Sequence, residues 1–301
     1  YIFLAGILFF LLFYFFLRFG EKVTQKVEQI KIINWIILFI SIIFCASMFA
    51  GIKNLFAYFP NWLYITLLVA LLVLTFCLTV KGIGGLEKLN MILMPIASVV
   101  FFGVLIYGAT MSSGYKVETT PFAGLLYSPL YVALNTSISG LLIAKVGKGL
   151  SKKQTFLSSL FSTIIILIFL FLGNFVLRQN PLVYASEMPF LSLMSSNKVM
   201  FVLIYLVLFA GCFTTLMSLC ITLKISFEKF VSDQKFSSVL SVFVPCILSS
   251  IGFSQIVSLF YPIASVLGIF ILLFVIFSFK QTDKEIHSEC QDAQDRCRRH
   301  D

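Results

Sequence analysis

The chain has 301 residues, of which 59% are hydrophobic and 12% charged, and its formal net charge is +9. An ordinary soluble domain carries about 45–50% apolar and about 25% charged residues, so a soluble globule is excluded. The 35 Phe stand beside 13 acidic residues and 2 His, both His within the last fifteen positions, which leaves almost no material for an acid–base or metal-centred active site. The chain is read as non-enzymatic.

A helix crossing a hydrocarbon core of about 30 Å needs about 20 mostly apolar residues. Nine stretches meet that need, at 1–17, 32–52, 62–80, 89–111, 122–144, 155–177, 199–223, 236–253 and 256–279. All are predicted to be helices, because the period-2 alternation of a membrane barrel strand is absent and backbone amides in lipid must be satisfied within the segment. The fold class expected is therefore an all-α, polytopic integral membrane protein with nine transmembrane helices, residues 1–279, followed by a polar tail at 280–301.

The cations fall in the gaps rather than along a continuous basic face, which argues for a lipid bilayer and against nucleic acid as the partner. Successive gaps hold 4, 1, 2, 1, 4, 2, 3 and 0 Lys or Arg, and the tail holds 5. Alternate connections thus receive 18 cations on one side and 4 on the other, which predicts a cytoplasmic tail and Tyr1 outside a cell membrane. A start on the outer face without a signal peptide predicts a preceding span outside this sequence, and ten or more spans in all. Cys45, Cys77, Cys212, Cys220 and Cys246 lie within spans and read as small packing residues. In the tail, His287, Cys290, Cys297 and His300 offer zinc-type ligands at a spacing that matches no common zinc module, so a solvated tail is expected there.

Polar or helix-breaking residues at membrane depth are the informative ones. In the fifth span, FAGLLYSPLYVALNTSISGLLIAK, Pro129 removes a backbone donor, and Ser128, Tyr131, Asn135 and Ser139 follow on one face. Two readings are open: a proline kink with Asn135 joining helices, or a discontinuous helix whose polar groups bind a small solute. The seventh span, FAGCFTTLMSLCITLK, carries Gly211, Thr214, Thr215, Ser218 and Thr222 along one side. These hydroxyls either satisfy their own helix or, with the Gly211 carbonyl, supply three oxygens toward a hard cation such as Na⁺. In the second span, Ala46-x3-Ala50 and Ser47-x3-Gly51 are patterns for close helix packing. Glu187 sits in an outer connection before Pro189, as either a solvated acid or a gate over the outer mouth.

KGIGGLEKLNMILMPI, LLYSPLYVALNTSISG, LGNFVL, SEMPFLSL and FAGCFTTLMS occur in that order from Lys81, at the start of the third gap, to the seventh span. In order and spacing, over about residues 1–279, the chain resembles the YkvI-type membrane proteins of the amino acid-polyamine-organocation transporter superfamily, the group with the LeuT fold. The resemblance implies a ten-helix inverted-repeat core lacking its first helix here, with the fifth span in the place of the sixth core helix. It implies that Tyr127, Ser128, Tyr131 and Asn135 line a solute site and that Gly211, Thr214 and Thr215 form a candidate Na⁺ site. No acid lies within any span, which favours Na⁺ over proton as coupling ion, with no other cofactor. The expected function is a secondary transporter of a small polar solute, an amino acid or related amine, working by alternating access. The alternative is a non-transporting membrane solute sensor with a transporter-like fold. The oligomeric state is left open.

Overall fold

The computed structural model describes residues 1–81, 83–111, 121–231 and 233–277, and all of their regular structure is helical. The elements are α1 (Ile2–Gln29), α2 (Lys31–Phe56), α3 (Asn61–Lys81), α4 (Ile83–Thr110), α5 (Pro121–Val146), α6 (Lys152–Arg178), a short α7 (Pro189–Leu193), α8 (Lys198–Glu228), α9 (Gln234–Leu248) and α10 (Phe253–Phe277). Among the described residues, eight helices are long and apolar enough to cross a membrane: α1 to α4, α6, and α8 to α10. The chain is an all-α, multi-pass membrane protein. The tail with its His and Cys residues lies outside the described residues, as does Lys116.

Each predicted span falls on a helix, and several helices run further than the apolar run alone. α1 continues to Gln29 and α8 to Glu228, because Lys, Glu and Gln turns are good helix formers and leaving the lipid does not end a helix. Where helices begin, side chains take over the free amides. Ser151 and Gln154 form a reciprocal capping box at α6, and Asn197 and Asp233 cap α8 and α9.

α2 is the central helix: 67% of its apolar window is buried, against 17% for α3, α4 and α6. Its small residues explain this. Cys45, Ala46, Ser47, Ala50 and Gly51 are all buried, and a Cβ on Gly51 would meet Cys212 of α8 at 3.6 Å and Phe253 of α10 at 3.8 Å. The small-residue patterns are packing faces, as van der Waals association in lipid requires. α8 packs on α2, α4 and α9, while α1 lies along α5 and α6.

The connections gather at two ends, alternately. At one end, Asn54 in the last turn of α2 donates to Glu187 before α8, and the Asn180 Nδ2 after α6 donates to the Met111 carbonyl after α4 at 2.9 Å. At the other, the Lys229 Nζ donates to Asn34 Oδ1 at 3.2 Å, and Gly147 abuts the Leu17 carbonyl. This is the arrangement that antiparallel crossing helices demand. α5 runs between the same two ends, from Gly124 beside Tyr1 to Gly147 beside Leu17.

Candidate functional site

The polar face of α5 is built on an uninterrupted helix. Pro129 lies inside it, and the helix continues from Pro121 to Val146 without a break, so of the two readings left open the backbone takes the continuous one. The polar side chains along this face turn back onto their own helix. Ser128 Oγ donates to the Gly124 carbonyl at 2.7 Å, Asn135 Nδ2 to the Tyr131 carbonyl at 2.8 Å, and Ser139 Oγ to the Asn135 carbonyl at 2.7 Å. The Pro129 ring faces an apolar groove with Leu125, Leu126, Leu130 and Ile269.

Tyr127 and Tyr131 leave 64% and 43% of their surface uncovered, and among the described residues neither hydroxyl has a hydrogen-bond partner. Together with Ser128 they line one cavity of about 370 Å³ between α1, α5 and α6, closed on the far side by Leu170 and Asn174. The Tyr131 ring meets Phe9 of α1 edge-on, with centroids 6.0 Å apart. Three of the four residues expected to line a solute site are thus brought together. Asn135 stands further along α5, outside the cavity.

The α8 stripe is also carried by a continuous helix. Thr214 is buried, and its hydroxyl donates to the Ala210 carbonyl at 2.9 Å and reaches the Gly211 carbonyl at 3.3 Å. Ser218, Thr222 and Ser226 repeat the same bond to the carbonyl four residues back, at 2.9–3.0 Å. These hydroxyls therefore satisfy their own helix, and Gly211, Thr214 and Thr215 fall on neighbouring positions of consecutive turns. Beside Gly211 the space is open, with no atom within 4 Å of a Cβ built there.

Glu187 accepts a hydrogen bond from the Asn54 side chain, which ties the connection before α8 to the end of α2. Asn54 in turn lines a second cavity, of about 480 Å³, walled by α2, the start of α3 and the α9–α10 junction. Its polar groups include Lys53, Asn61 and Ser250, none of which the apolar-span reading singles out. The signal that was available is local: Lys53 is the lone cation of the second gap and is followed by Asn54. α10 opens beside this cavity on Gly252, whose φ of +103° and ψ of 150° suit glycine alone, and then passes through a π-helical turn at Ile256–Phe260. Such widened turns recur at functional sites.

No protein-family model, no curated protein and no solved structure matches the chain. The functional reading therefore rests on the residues and their geometry.

Proposed function

We propose that this chain is the membrane body of a secondary transporter for a small polar solute, with α5 as a ninth crossing helix in a LeuT-type arrangement. One observation carries the reading: Tyr127, Ser128 and Tyr131, polar residues of an apolar helix, share one cavity, and two of their hydroxyls have no hydrogen-bond partner among the described residues. In lipid, such groups are costly unless they face a polar pathway, a solute or another helix. The uninterrupted α5 assigns recognition to side chains rather than to freed backbone groups, with Asn135 joining as the solute moves along the helix. Gly211, Thr214 and Thr215 offer the coupling-ion oxygens, Na⁺ being the ion their chemistry suits, and Glu187 serves as the outer gate. The cation distribution sets the tail in the cytoplasm of a cell whose membrane holds the protein.

The test is uptake into proteoliposomes of the complete protein, with radiolabelled amino acids and amines, under an inward Na⁺ gradient and in choline. Accumulation that collapses when the gradient is dissipated supports a coupled carrier. Saturable binding without uptake transfers the reading to a solute sensor, and neither binding nor uptake rejects the α5 site.

A further inference from the structure

The 480 Å³ cavity differs in kind from the one on α5. Its volume falls within the range of about 300–1,000 Å³ typical of small-molecule sites. Lys53, in the last turn of α2, is its only charged wall residue among the described residues, and it is partly buried. The Lys53 ammonium makes no ion pair and no hydrogen bond among the described residues. Around it stand neutral donors and acceptors, Asn54, Asn61, Tyr64 and Ser250. Glu187 is outside the cavity wall and is engaged by the Asn54 amide.

A partly buried ammonium without a counter-charge favours an anion beside it, since the low-dielectric walls strengthen the attraction that water would screen. A single point charge flanked by amides and hydroxyls suits a singly charged carboxylate. A phosphate group carries more charge and is usually held by several cations or by a guanidinium fork. The two connections that border the cavity, α2–α3 and α9–α10, lie at the end opposite Asn34 and Lys229, so it opens at one end of the helices only.

We propose that this cavity binds a small monovalent carboxylate, with Lys53 as its counter-ion and Asn54, Asn61 and Ser250 as its hydrogen-bonding partners. The site deepens the transporter reading and rests on it for the role of the bound anion as arriving solute; the binding itself rests on Lys53.

The experiment is thermal unfolding and calorimetry of the complete protein in phosphatidylcholine nanodiscs, with acetate, lactate and benzoate, each paired with its neutral amide at equal ionic strength. At least one carboxylate should bind saturably where its amide does not. Lys53→Gln should weaken that binding by about tenfold or more, the usual worth of a charged hydrogen bond. Lys53→Arg should keep it within about threefold, and Lys198→Gln, an exposed cation at the same end and off the cavity, should leave it unchanged. Asn61→Ala provides a second variant should Lys53→Gln fail to fold, with an expected weakening of about threefold. Equal effects of acid and amide, or binding that survives Lys53→Gln, overturn the site. Stabilisation by phosphatidylglycerol alone, with no carboxylate effect, overturns it in favour of a lipid headgroup. Uptake that is indifferent to Lys53 keeps the transporter and removes this site, whereas Lys53-dependent binding without any uptake keeps the site and removes the transporter.

Discussion

A hydroxyl has one proton to give, and Ser47 of α2 gives its own to the Phe44 carbonyl at 2.8 Å. In the 2.7 Å contact between Ser47 Oγ and the Tyr261 hydroxyl, Tyr261 is therefore the donor, and the bond joins α2 to α10 while the Tyr261 ring stacks on Phe44 at 4.8 Å. Interhelical bonds of this kind within membranes couple by about 0.6 kcal/mol. A double-mutant cycle of Ser47→Ala and Tyr261→Phe, followed by unfolding in mixed micelles, should return a coupling near that value; strictly additive losses would show that the contact contributes nothing. The Thr214 hydroxyl bonds only within α8. Replacing Thr214 and Thr215 together with Val should therefore leave insertion and folding intact and remove the Na⁺ requirement for solute-induced stabilisation. A Na⁺ requirement that persists in the double variant would assign the ion to other oxygens.

Where helices touch through glycine, the element rather than the residue sets the cost. A Cβ on Gly20 of α1 would overlap the backbone and side chain of Ala144 in α5, so Gly20→Val forces the two helices apart and should destabilise by about 1–3 kcal/mol. Gly103 of α4 has open space around it, and Gly103→Ala should change unfolding by no more than about 0.5 kcal/mol. At the α9–α10 junction, Gly252→Ala should cost about 1–3 kcal/mol for its backbone geometry, and should also narrow the cavity it borders. A reversal of this ranking in thermal unfolding would overturn the packing described for α1 and α5. The helices themselves were legible in the sequence, because twenty apolar residues bounded by lysines state a span without tertiary information. The α5 face was legible for the same reason: Tyr, Ser and Asn stand out against an apolar run. The continuity of α5 through Pro129 was not, since a proline inside a membrane helix is compatible with a bend as well as with a break. The Lys53 cavity was hidden more deeply, because Ser250 and Gly252 are far in sequence from Lys53 and Asn61, which flank the α2–α3 connection, and meet them only when the ends of the helices are gathered.

At the scale of the whole molecule, the gathering of connections is what gives the protein two faces. Asn54, Glu187, Met111 and Asn180 meet at one end, and Leu17, Gly147, Asn34 and Lys229 at the other, so consecutive connections alternate. Charge follows the same division, with 18 cations in the connections of the second set plus the tail and 4 in those of the first. Because translocation across a membrane is resisted by Lys and Arg, the proposed orientation has the second end in the cytoplasm. Single cysteines at Asn61 and Ser250, and at Lys148 and Lys229, placed in a background without the native cysteines, should divide cleanly. A membrane-impermeant maleimide added to intact cells should label the first pair and not the second, and inverted vesicles should reverse the pattern. Labelling of all four from one side would mean that the helices do not cross, and a uniform reversal would keep the fold while inverting its orientation. Division of one pair between the two faces would contradict the convergence that builds the Lys53 cavity, and with it the anion site.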